Sequence, residues 1–280
     1  MSTDSTTGPG SGRTTGWVLP VVTVLGVAAA IVAAFVGSGA LGGNPINEAA
    51  GGALSADATP VAPAGSAFGI WSVIYLGLAA YALWQLSPTA RRSTCQRLLR
   101  PWALLSALLN AAWIWSVQLD LLVVSVAVIM VLLAVLVRIV MILGAPRASG
   151  WLETLLTDGT FGLYLGWVTV AFLANVYAWL ADAGVALVTE IPLGLVGVLL
   201  AAGMGFATAL LGLGRIAPAL ATSWGLVWIA VGRTEGAFES TVLVWTATFA
   251  AGVVLLVAVA SRLGVIPMGQ VSPAEVRHAQ

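Results

Sequence analysis

The chain has 280 residues, 60% of them hydrophobic and only 8% charged, with a mean hydropathy of +1.02; so few polar side chains cannot cover a water-soluble globule, and the natural solvent is lipid. The 11 acidic and 11 basic residues cancel, and with no basic stretch interleaved with aromatics there is no footprint for a nucleic-acid partner. Every cation is arginine, and Cys95 and His278 are the single residues of their types, which excludes an internal disulfide and leaves no His/Cys set for a metal.

Residues 1–16 are Ser, Thr and Gly without apolar periodicity and are expected to be a disordered tail. Eight runs with few or no charges follow, at 17–37, 67–86, 102–118, 121–144, 160–181, 187–211, 216–232 and 240–261. Most reach the roughly 20 residues that a helix needs to cross the hydrocarbon layer. The runs 102–118 and 216–232 are shorter, so the expectation is an all-α polytopic transmembrane helix bundle of about eight helices, with seven left open. The first run reads as a retained helix; a signal peptide is the alternative, because Arg13 precedes it and Gly37, Ser38, Gly39 and Ala40 follow. Residues 38–66 form a long Gly/Ala/Pro-rich segment without a cation, either a lid or slack between two helices. Cys95 falls in a polar loop, and Glu190 lies at the start of the sixth run, where interfacial exposure is expected rather than a proton relay.

Arginine placement sets the orientation, since cytoplasmic loops hold an excess of Lys and Arg. An inside N-terminus puts Arg13, Arg91, Arg92, Arg97, Arg100, Arg147, Arg215, Arg262 and Arg277 in the cytoplasm and only Arg233 outside. Arg138, near the cytoplasmic end of the fourth run, can snorkel to the headgroups. Both termini are therefore expected to be cytoplasmic, in a bacterial plasma membrane.

Tryptophan occurs 12 times. Trp17, Trp84, Trp102 and Trp151 fall at helix ends and fit an interfacial belt. In the fifth run Tyr164, Trp167, Ala171, Asn175 and Trp179 recur every three or four residues and share one face. An amide and two indoles on one stripe need polar partners, so that face must look inward. Asn110 and Trp113 repeat the theme in the third run, and Trp71 and Tyr75 in the second; hydrogen bonding between helices explains such residues as well as a ligand does. In the seventh run Trp224 and Trp228 share a face, which leaves helix packing, an extension of a pocket or a homodimer face open.

The stretch YLGWVTVAFLANVYAW at 164–179 resembles, without a gap, the fifth helix of the translocator protein family, also called tryptophan-rich sensory proteins or peripheral benzodiazepine receptors. FGIWSVIY at 68–75 and LNAAW at 109–113 resemble its second- and third-helix motifs, in the same order. The resemblance covers residues 17–182 and implies a five-helix bundle around an apolar pocket for tetrapyrroles, sterols or benzodiazepine-like molecules. Carried over residue by residue, that pocket is lined by Trp71, Tyr75, Asn110, Trp113, Trp167, Ala171 and Asn175. The basic residue that a sterol-recognition pattern wants beyond Tyr177 is missing from AWLADAG. Residues 183–262 are then three additional transmembrane helices and 263–280 a cytoplasmic tail.

The function this implies is a membrane-embedded sensor or carrier of an apolar planar small molecule, with a porphyrin or haem as ligand rather than resident cofactor. A secondary transporter or channel using the last three helices is the alternative, without support from paired intramembrane charges. An enzyme is not expected, because the implied pocket holds no His, Cys, Asp, Glu or Lys for acid–base work.

Overall fold

The computed structural model describes residues 15–39, 42–144, 150–212 and 214–265. The tail expected at 1–16 therefore lies outside the described residues up to position 14, and Thr15 and Gly16 already belong to a helix. Most of the tail at 263–280, with Arg277 and His278, lies outside them too, as do Arg13 and Arg147.

The helices are α1 (Thr15–Gly37), α2 (Ile70–Trp84), α3 (Pro88–Arg92), α4 (Thr94–Gln118), α5 (Leu122–Leu143), α6 (Trp151–Thr154), α7 (Thr160–Asp182), α8 (Ile191–Leu211), α9 (Ile216–Val231) and α10 (Thr241–Arg262). A π turn at Leu155–Gly159 joins α6 to α7, so that Trp151–Asp182 runs as one long helix. Among the described residues there is no strand, and six helices are long and apolar enough to span a bilayer. With α4 and the shorter α9 packed among them, the protein is an all-α polytopic membrane bundle.

Two expectations are corrected. The third spanning helix begins at Thr94 rather than 102, and Cys95 sits in its first turn instead of a loop. Ser93 caps that turn by accepting the Gln96 N–H at 3.3 Å, and Gln96 and Arg100 find partners inside the bundle while Thr94 and Arg97 stay exposed on its surface. Arg100 is buried, donating to Gln85 Oε1 at 2.8 Å and to the Ala90 carbonyl at 2.7 Å. Gln85 in turn donates to Gln96, whose amide reaches Glu153 at 3.0 Å.

Packing divides the bundle around α7. One core joins α1, α2, α4, α5 and α7; a second lies among α7, α8, α9 and α10. The two halves approach closely because small residues line the α7–α9 seam. A Cβ on Gly162 would stand 2.7 Å from the Ala217 Cβ, and one on Gly225 would stand 2.9 Å from Val170. Arg215, at the start of α9, pairs with Asp158 of the π turn and donates to the carbonyls of Gly144 and Gly212. That clamp ties α9 to the ends of α5 and α7 on the side of the molecule opposite the 38–66 segment.

Candidate ligand-binding site

Trp71 is the hub of an aromatic cluster built from three helices. Its ring stacks on Tyr75 one helical turn away, with centroids 5.4 Å apart and planes 20° from parallel. Trp113 of α4 lies tilted against it at 6.2 Å, and Tyr164 and Trp167 of α7 meet it edge-on at 5.7 and 6.3 Å. Phe68, just ahead of α2, closes the ring with an edge contact of 5.7 Å to Trp167. These offset and T-shaped arrangements are the favourable ones for aromatic quadrupoles.

The two amides have structural work. Asn175 accepts the Trp113 Nε1–H at 2.8 Å and donates to Ser125 Oγ at 2.8 Å, joining α4, α7 and α5. Asn110 donates to Tyr75 Oη at 2.9 Å, joining α4 to α2. Three polar groups at the cluster have no hydrogen-bond partner among the described residues: the indole N–H of Trp71, that of Trp167, and Asn110 Oδ1. Tyr75 Oη, whose lone pair takes the Asn110 proton, keeps its own O–H to donate.

The remaining site residues line two spaces that share Phe68 and Trp113. The larger, about 460 Å³, lies between α1, α2 and α4 and is walled by Phe35, Trp71, Tyr75, Trp113 and Ile114, with Ser38, Asn47 and Ser72 as polar members. The smaller, about 20 Å³, lies against Trp167 and Ala171 beneath Leu54, Ala62 and Pro63. That is room for about one water molecule. The space beside Ala171 is thus closed by the 38–66 segment and Phe68, while the room lies on the far side of Trp71. Motif reading pointed to Phe68 through FGIW but did not single it out, and it left out the α1 wall. No local signal marks Ile31, Phe35 or Ile46, which are apolar residues among many.

Residues 42–66 fold against the bundle. Thr59, Pro60, Val61, Ala62 and Pro63 are buried, and the Ala64 N–H donates to the Trp228 carbonyl at 3.0 Å. Trp224 donates its indole N–H to the Ala67 carbonyl at 3.0 Å and meets Trp228 edge-on at 5.5 Å. These two tryptophans therefore pack against the end of that segment, at Ala64 and Ala67. Trp224 borders a separate groove with Ser66, Ile70 and Val73 and does not line the two spaces around Trp71.

Charge is segregated between the ends. The end that carries the 42–66 segment has exposed Glu48, Asp57, Asp120, Asp182, Glu190, Glu235 and Glu239, and its one described cation, Arg233, is buried. Arg91, Arg92, Arg97, Arg100, Arg215 and Arg262 gather at the other end. There Arg91 stacks its guanidinium 3.8 Å over the exposed ring of Trp17, and exposed Arg138 lies 5.9 Å from the Trp102 ring, consistent with interfacial anchoring. Glu190 is exposed just before α8.

Residues 22–260 match the family described as TSPO-like protein. The chain belongs to that family. The match runs past the five helices carrying the motifs and through α8 and α9 into α10. No curated protein and no solved structure matches. Membership makes this TSPO-like chain an integral membrane protein of a ligand-binding and sensory family that is generally not enzymatic. Neither space around Trp71 is lined by His, Cys, Asp, Glu, Lys or Arg among the described residues, and no group of three or more His, Cys, Asp or Glu assembles there.

Proposed function

We propose that the bundle binds a flat, mainly apolar small molecule against Trp71, as a sensor or carrier, and that a tetrapyrrole is the best single ligand. The observation that carries this reading is the convergence of Trp71, Tyr75, Trp113 and Phe68 around a space of about 460 Å³, within the range of ligand pockets. Aromatic faces hold a planar ring system by stacking. The free donors, Tyr75 O–H and the Trp71 and Trp167 N–H groups, outnumber the free acceptor Asn110 Oδ1, so the ligand brings hydrogen-bond acceptors. Trp71, Tyr75 and Trp113 are the contact residues in this reading, Trp167 and Ala171 the inner wall reached when Phe68 and the lid shift, and Asn110 and Asn175 the residues that orient Tyr75 and Trp113.

The segregation of arginine supports an orientation with the lid outside and both termini in the cytoplasm. A ligand shifts the bundle between arrangements only by its differential affinity for them, and displacement of the lid is the change this geometry offers.

Titrating the purified protein with protoporphyrin IX while following tryptophan fluorescence tests the reading. Saturable quenching is expected for the wild type, a loss of affinity of tenfold or more for Trp71→Leu, and a smaller loss for Ala171→Phe. Absence of saturable quenching, or affinity indifferent to Trp71→Leu, overturns the tetrapyrrole assignment.

A further inference from the structure

We infer that Arg233 is a positioning residue for the pocket, a latch by which the α9–α10 loop holds the lid segment closed over Trp167 and Ala171. This rests on the reading that the spaces around Trp71 receive the ligand, and it assigns the last three helices a role as the lid's seat.

Arg233 follows α9 directly and is fully buried. Its guanidinium meets no carboxylate within ion-pair distance among the described residues. It donates instead to lid backbone: Nη1 to the Thr59 carbonyl at 2.9 Å, and Nη2 to the Ala56 carbonyl and, at 3.5 Å, to that of Ala62. Three carbonyls at intervals of three residues curl around the two terminal nitrogens of one planar fork, a spread of donors that a lysine ammonium does not have, while Nε has no hydrogen-bond partner among the described residues. Phe238 lies 5.5 Å from the guanidinium carbon. Burial pushes the Arg233 pKa down from its ordinary value and the charge of Asp57 pushes it back up. An ordinary arginine pKa stands so far above neutrality that the side chain stays charged, and a buried charge requires its hydrogen bonds.

The contact is reciprocal. Asp57, on the lid, accepts the Ala237 N–H at 3.0 Å. Gly236 makes this approach feasible, with φ +89 and a position where a Cβ would stand 2.5 Å from Asp57 Oδ1. On the α8 side the lid is keyed between glycines: a Cβ on Gly197 would stand 2.6 Å from Val61, and one on Gly194 would stand 2.5 Å from Pro60. The latched stretch then delivers Leu54, Ala62 and Pro63 to the wall opposite Trp167 and Ala171. Nothing else on that end of the molecule could supply the cation, since its other described charges are carboxylates.

The test uses the full chain with Cys95→Ser and Leu54→Cys, so that N-ethylmaleimide reports lid opening without any ligand. Arg233→Met is expected to speed labelling about tenfold or more, because each hydrogen bond to a charged group is worth roughly that factor in an opening equilibrium. Arg233→Lys should fall between, and Arg215→Met, which removes a buried arginine at the far end, should label like the wild type. Protoporphyrin IX dissociation should accelerate in step with labelling. Equal labelling in wild type and Arg233→Met overturns the latch, as does faster labelling with unchanged porphyrin dissociation. Faster labelling in a protein that binds no porphyrin in any variant upholds the latch and removes the ligand reading. If Arg233→Met does not fold, unchanged labelling in Arg233→Lys overturns the proposal and faster labelling supports it.

Discussion

Asn175→Leu should cost the bundle about 2–4 kcal/mol, and the figure follows from what the side chain touches. Asn175 is fully buried on α7, and its amide closes a chain from Trp113 Nε1 through Asn175 to Ser125 Oγ and on to the Leu122 carbonyl, with steps of 2.8, 2.8 and 2.7 Å. Leucine has the same number and branching of side-chain heavy atoms, with methyls somewhat larger than the amide groups they replace, so no cavity term enters. Two hydrogen bonds are lost, each about 0.6 kcal/mol on average between side chains in a membrane, where the unfolded reference also finds partners. Ser125 keeps its bond to Leu122, but the Trp113 N–H is left unpaired at a buried site, a penalty of about 1–3 kcal/mol. The orphaned donor is the larger part over most of that range. Reversible unfolding of the purified protein in mixed micelles with rising SDS measures the total, and a double-mutant cycle with Trp113→Phe isolates the shared term. Phenylalanine has no N–H to orphan, so Asn175→Leu should cost at least about 1 kcal/mol less in that background. A cost below about 0.5 kcal/mol, or a coupling of zero, would refute the claim that this amide joins α4 to α7.

Gly225→Val should weaken the α7–α9 seam by about 1–3 kcal/mol through overpacking against Val170, where even a Cβ stands at 2.9 Å, whereas Gly252→Val, with nothing within 4 Å of its Cβ, should be near neutral; the same SDS titration compares them. Arg215→Met removes the partner of Asp158 and of two carbonyls, and because Asp158 keeps 22% exposure the loss should sit nearer about 2 than 5 kcal/mol, with Asp158→Asn milder. The seven exposed carboxylates at the lid end should repel a dianionic porphyrin approaching from that side, so stopped-flow association should quicken with added salt for protoporphyrin IX and stay flat for its neutral dimethyl ester.

Much of this architecture is written in local pattern. Runs of apolar residues of membrane length mark α1, α2, α5, α7, α8, α9 and α10 to within a few residues, because the need to satisfy the backbone in lipid permits only a helix there. The three- and four-residue recurrence of Tyr164, Trp167, Ala171 and Asn175 puts them on one buried stripe, and the structure brings that stripe against Trp71 and Trp113. A helix face can be read from one segment, since it depends only on the helical period. The start of α4 could not be read so, because its polar first turns look like a loop until Gln85 and Ala90 are placed beside Arg100.

What tertiary structure alone decided is which polar group answers which, and where space is left over. Asn110 and Asn175 read equally well as pocket lining or as helix-to-helix bonds, and only the tertiary structure supplies their partners, Tyr75 on α2 and Ser125 on α5. The room lies beside Trp71 and not beside Ala171 because residues from 53–63 fill the latter space, and the packing of a loop has no sequence period to betray it. Arg233 appeared in the sequence only as the one cation on the outer side. Its partner carbonyl at Thr59 lies 174 residues away along the chain, a distance that only the closing of α8, α9 and α10 over the lid can span.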